Sequence, residues 1–124
     1  MDAKAKTVLI VEDNELNMKL FHDLLEAHGY RTVGTRNGIE ALDLARKHRP
    51  DLILMDIQLP TIDGYEATRR IRSNADNKNI PIIAVTSYAL TGDEAKALAA
   101  GCDAYVAKPF SPRQLLAKII EYLQ

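Results

Sequence analysis

Five short apolar runs punctuate the chain: "TVLIV" (7–11), "TVGT" (32–35), "DLILM" (51–55), "IPIIAVT" (80–86) and "AYVA" (104–107). All but the second are continuous rather than alternating, the pattern of strands covered on both faces. Between them lie stretches with apolar residues at three-to-four spacing. Residues 15–28 carry Leu16, Leu20, Phe21, Leu24 and Leu25, with Asn14 as the expected N-cap and Gly29 as the expected stop. Residues 38–48 present Ala41, Leu42 and Ala45, and residues 65–73 present Ala67 and Ile71. Residues 92–100 are Ala-rich and end at Gly101, and residues 112–123 present Leu115, Leu116, Ile119, Ile120 and Leu123. Pro112 falls in a first helical turn, where its missing N–H costs little. Five βα units with short connections predict a parallel sheet with helices on both faces.

The totals narrow the functional classes. A chain of 124 residues suits one domain, taken here as 1–124 with no output domain, and it can bury a core without disulfide or metal staples. A formal net charge of −1, with no basic stripe, leaves no electrostatic footprint for nucleic acid. The single cysteine, Cys102, excludes an internal disulfide and suits a reducing compartment. The N-terminus has too short an apolar run for a signal peptide, and no segment is long enough to span a membrane. The expectation is a soluble cytoplasmic protein without membrane insertion.

Chemistry in such a sheet gathers at the carboxyl ends of the strands. The first run ends in Glu12 and Asp13, the third in Asp56, the fourth in Thr86 and Ser87, the fifth in Lys108 and Pro109. Taken singly, each has a plain structural role. A lone acid at a strand end is commonly a cap or turn former; Glu12 and Asp13 suit a solvated loop, with Asp13 competing with Asn14 as cap; Lys108 before Pro109 suits an exposed turn. Together they are harder to explain by chance. If strands one and three are neighbours, three carboxylates converge beside a hydroxyl and an ammonium. Such a cluster repels itself unless a cation sits there. Oxygen-only ligands with a phosphate partner describe Mg²⁺, which Mn²⁺ can replace. Asp56 is then the nucleophile toward phosphorus, with Lys108 and Thr86 contacting phosphoryl oxygens.

The segments "VLIVEDN", "DLILMDIQLPTIDG", "PIIAVTS" and "AYVAKPF" resemble the response regulator receiver domain of two-component signalling, over essentially the whole chain. The resemblance implies a flavodoxin-like (βα)5 fold with strand order 2-1-3-4-5. It implies Asp56 as phosphoacceptor and Glu12, Asp13, Asp56 and the backbone carbonyl of Gln58 around Mg²⁺. It implies Lys108 on the phosphoryl group, Thr86 and Tyr105 as a coupled switch, and a cis peptide bond before Pro109. Ser87 departs from the small alanine or glycine common after the switch threonine, and Gln58 and Tyr88 occupy positions that tune phosphoryl lifetime.

The resemblance further implies a donor, either a histidine kinase or a histidine phosphotransferase, docking near Met18, Phe21 and His22. A kinase-like or adaptor partner would read the face around Tyr105. The chain is expected to be a monomer or weak dimer, to modify only itself, and to serve a bacterial cell-cycle or cell-division phosphorelay, with recruitment to a membrane-bound kinase. A phosphorylation-independent adaptor is the alternative. A flavin carrier on this fold is disfavoured, because "EDNELN" stands where a Ser, Thr and Gly phosphate cradle belongs. His22, His28 and His48 lack metal spacing and are expected on the surface, and Cys102 is expected to be a packing residue.

Overall fold

The computed structural model describes residues 5–86, 93–107 and 111–123, the Asp93 side chain apart. Strands β1 (Thr7–Val11), β2 (Arg31–Thr35), β3 (Leu52–Asp56), β4 (Ile82–Thr86) and β5 (Ala104–Ala107) form one parallel sheet in the order β2-β1-β3-β4-β5. Helices α1 (Glu15–Ala27), α2 (Gly38–His48), α3 (Gly64–Ser73), α4 (Asp93–Ala100) and α5 (Pro112–Leu123) connect the strands or follow the last. The fold and strand order are those expected. A short 3₁₀ turn, Ala75–Asn77, was not foreseen.

Alternate side chains of each central strand point to opposite faces, and the two faces are packed differently. Val8, Ile10, Leu52, Leu54, Ile83 and Val85 meet Phe21 and Leu25 of α1 and Leu115, Leu116, Ile119 and Leu123 of α5. Leu9, Val11, Ile53, Met55, Ile82 and Ala84 meet Ala41 and Ala45 of α2, Ala67 and Ile71 of α3, and Ala97 of α4. Three helices crowd the second face, so their buried positions are mostly alanine; two helices cover the first and use large residues.

The central strands β3 and β4 are buried at every position, which explains their unbroken apolar runs. The edge strand β5 is only half-buried along its length, so its continuous run overstated its cover. Helix ends follow local chemistry. The Asn14 side chain accepts the Asn17 N–H at 2.9 Å, Asn37 accepts from Ile39 and Glu40, and Asp63 accepts from Glu66. Asn14, not Asp13, is therefore the α1 cap. Gly29, at φ +87°, follows the His28 C-cap as the expected left-handed stop.

Candidate functional site at the carboxyl ends of the strands

Parallel pairing sets the levels of the strand ends. Val11 pairs with Met55, so Glu12 stands level with Asp56, the last residue of β3. Asp56 in turn pairs with Val85, and Thr86 with Ala107. The register thus brings Glu12, Asp56 and Thr86 to one rim. All three are buried polar residues, with Asp56 only 4% exposed. Lys108 and Pro109 follow Ala107 at the same end of the sheet by sequence, but they lie outside the described residues, as do Ser87 and Tyr88.

Asp56 is anchored by its own loop. Its Oδ1 accepts the Gln58 N–H at 3.1 Å, while the Ile57 N–H donates to the Val85 carbonyl. The Gly64 N–H donates to the Ile57 carbonyl at 2.9 Å, folding the β3–α3 loop back against the strand end. A Cβ at Gly64 would lie 2.4 Å from the Asp56 carbonyl oxygen and 2.7 Å from Ile57 Cα. The atoms met are backbone, so a side chain here forces a costly shift that glycine avoids. Gln58 is half-buried at the rim.

Across the cleft, the Glu12 N–H donates to the Thr35 carbonyl at 3.0 Å, and Glu12 Oε2 accepts the Asn14 N–H at 3.2 Å. Asp13 is about half exposed, with Arg36 Nε 3.9 Å from its carboxylate. Arg36 also donates to the Asp13 carbonyl and, through Nη1, to Glu15, both at 3.2 Å. Arg36 follows the last residue of β2, the one strand whose end carries no expected site residue. Gly64 was missed for a different reason: its constraint is a close approach between segments that spacing along the chain does not reveal.

The expected convergence of three carboxylates is looser than anticipated. Among the described residues, no three His, Cys, Asp or Glu side chains come together so as to hold a metal ion. Asp13 lies at the solvent edge beside Arg36, while Glu12 and Asp56 are buried. The donor set still fits Mg²⁺, which keeps several waters and takes only one or two carboxylates from a protein rather than a full cage. It does not fit a soft metal, since the three histidines are exposed and scattered and Cys102 is buried elsewhere.

Tyr105, on β5, is half-buried. On α1, Phe21 is 1% exposed and belongs to the core, which removes it from the expected docking surface. Met18 is half-buried against Gly34, whose absent Cβ would sit 3.0 Å from the Met18 sulfur. His22 is exposed and, with Met18, Lys19 and Arg36, lines a shallow hollow of about 490 Å³. Leu16 and Leu20 are also exposed on this helix.

Five parallel strands in the order β2-β1-β3-β4-β5, flanked by helices, carry a buried carboxylate at the end of the central one. The response regulator receiver domain model matches residues 8–120, and the chain belongs to that family. Within it, the chain is 58% identical over 118 residues to the polar-differentiation response regulator DivK of Brucella anthropi, covering 95% of this chain and 96% of that one. It is 56% identical, with the same coverage, to DivK of Brucella ovis. Among solved structures, the receiver domain of a sensor histidine kinase from Pseudomonas aeruginosa superposes with a TM-score of 0.89 at 40% identity. That match covers 97% of this chain and 98% of the other, which was crystallised with magnesium coordinated in the active site cleft. The Vibrio cholerae chemotaxis protein CheY4 superposes with a TM-score of 0.91 at 28% identity, covering 97% and 100% of the two chains.

Proposed function

We propose that this receiver is a phosphorylation switch in which Asp56 accepts a phosphoryl group from a phosphohistidine of a kinase or phosphotransferase. The observation that carries this reading is a carboxylate 4% exposed at the carboxyl end of a central strand, level with Glu12 and oriented by the Gln58 N–H. An Asp56 carboxylate oxygen attacks phosphorus, the P–N bond breaks, and the imidazole nitrogen keeps the electron pair. Asp13, Asp56 and the Gln58 carbonyl, with Glu12 behind them, would hold Mg²⁺. When bound, the ion supplies neutralisation of charge on the transferring group. Thr86 and Lys108 are assigned to phosphoryl oxygens. The chain modifies and demodifies itself and turns over no separate substrate.

The added charge biases two packings of Thr86 and Tyr105, and with them the face formed by α4, β5 and α5. A kinase-like or adaptor partner reads that face, and the donor docks on α1 over Met18 and His22, which lie one turn apart on one side of the helix. The names of the Brucella relatives support a place in polar differentiation and cell-cycle control. The absence of any helix long and apolar enough to cross a membrane, among the described residues, is compatible with action in the cytoplasm, with recruitment to a membrane-bound kinase.

Incubation with acetyl phosphate and Mg²⁺ is expected to add one acid-labile phosphoryl group. Asp56→Asn is expected to abolish it. Label retained in that variant overturns the nucleophile, and partner affinity indifferent to phosphorylation returns the adaptor reading.

A further inference from the structure

The loop from Ile57 to Gly64 is held at both ends. At its start, the Ile57 carbonyl accepts the N–H groups of Leu59 at 3.2 Å and Gly64 at 2.9 Å, and the Gln58 N–H donates to Asp56. At its end, Asp63 caps α3 by accepting the Glu66 N–H at 2.9 Å. Between these anchors stands Thr61, at φ +72°. A β-branched residue rarely takes that left-handed conformation, which persists only where neighbouring contacts enforce it.

One such contact comes from α2. Half-buried Ile62 lies against Gly38, the first residue of that helix. A Cβ at Gly38 would meet Ile62 Cγ1 at 2.9 Å, and the Ile62 carbonyl oxygen and Ala67 Cβ each at 3.3 Å. Cγ1 sits beside the branch point of a stiff side chain, so it cannot swing aside as the end of a long one can. The seat itself is firm, because the Asn37 side chain accepts the N–H groups of Ile39 and Glu40 in the first turn of α2. A side chain at Gly38 must therefore displace Ile62. On the far side of Ile62 the chain is pinned by the Asp63 cap and the Gly64 N–H, so the shift passes through Thr61 toward Gln58.

We propose that Gly38 is a positioning residue for the cation site: by seating Ile62 it holds Thr61 left-handed and keeps the Gln58 carbonyl in place as a Mg²⁺ ligand. The inference rests on the reading of Asp13, Asp56 and Gln58 as the ligands. None of the atoms nearest a Cβ at Gly38 belongs to those three residues, so the effect is transmitted by the loop. Groups that orient metal ligands without touching the metal set its affinity in this way.

The test is a magnesium chloride titration of the full chain, followed by the amide resonances of Gln58 and Gly64, with spectra also taken before any magnesium is added. Gly38→Ala is expected to move both resonances in the metal-free protein and to weaken Mg²⁺ binding about tenfold. Ile62→Ala removes Cγ1 and empties the seat, and is expected to weaken binding as well. Together the two substitutions are expected to return the affinity to within about threefold of the wild type, because the added Cβ takes the space that Cγ1 vacates. Wild-type affinity in either single variant, whatever its stability in urea, or additive losses in the double variant, would overturn the inference. Should Gly38→Ala fail to fold, the affinity of Ile62→Ala decides alone. Absence of magnesium binding by the wild-type chain would overturn the cation site, and this inference with it.

Discussion

Asp56 owes its position to Gly64 as much as to its own strand. The Gly64 Cα faces the Asp56 carbonyl so closely that one added carbon atom must displace the Asp56 backbone. Gly64→Ala is expected to cost about 2–3 kcal/mol in urea unfolding, in the range of overpacked cores. It should also slow phosphorylation by acetyl phosphate, since the carboxylate moves with its peptide. Cys102 makes a contrasting case. Its thiol is buried, 3.7 Å from the Thr68 hydroxyl, and burial raises its pKa above the ordinary 9.0. The unfolded chain therefore loses this proton first. The contribution is intact below about pH 9 and declines as pH rises toward the folded value. A steeper loss of stability above about pH 9 than in Cys102→Ala, with slow alkylation at neutral pH, is the expected result.

Helix α1 illustrates how local chemistry and site geometry are joined. Asn14 caps the helix with its side chain while its own N–H donates to Glu12. Replacing Asn14 by Ala removes the cap but leaves the Glu12 contact to the backbone, and is expected to destabilise by about 1 kcal/mol in thermal or urea unfolding. Because Met18 and His22 lie on the next turns of this helix, this variant should also weaken donor docking more than it slows reaction with acetyl phosphate. The cap was readable from the sequence, since Asn before an amphipathic stretch has few other uses. The division of helices between the two faces was not, because an apolar stripe states that a helix is buried without stating against which side of a sheet. Nor was the half-exposure of β5, since an edge strand and a central one can carry the same short apolar run.

Arg72 ties distant parts of the domain together. Its Nε donates to the Gly101 carbonyl at 2.9 Å, its Nη1 to the carbonyls of Asn77 and Lys78, each at 3.2 Å, and its Nη2 to Asp103 at 2.7 Å. Asp103 Oδ2 also accepts the Ile82 N–H, and its carbonyl accepts the Tyr122 hydroxyl. One guanidinium thus links the end of α3, the 3₁₀ turn, the end of α4 and the start of β5. Gly101, at φ +115°, leaves room for it, because a Cβ there would lie 2.8 Å from Arg72 Cγ. Arg72→Ala is expected to cost about 3 kcal/mol in urea unfolding, through several unpaired carbonyls and a stranded Asp103. Arg72→Lys should recover little, since an ammonium cannot span the same fork of acceptors. The lesion lies at the amino edge of the sheet, so reaction of Asp56 with acetyl phosphate should survive wherever the variant remains folded.

What the chain dictates locally is the succession of strands and helices, their caps and stops, and the placement of an acid, a hydroxyl or an acid pair just beyond particular apolar runs. Periodicity and turn chemistry act over a few residues, so they can be read from a few residues. What only the assembled structure decides is the register that sets Glu12 level with Asp56, the outward lean of Asp13 toward Arg36 and the glycine contact behind Asp56. Most depend on segments tens of residues apart being pressed together, and the glycine contact depends on a loop folded back on its own strand. That choice is made by the packing of the whole sheet against both helical layers.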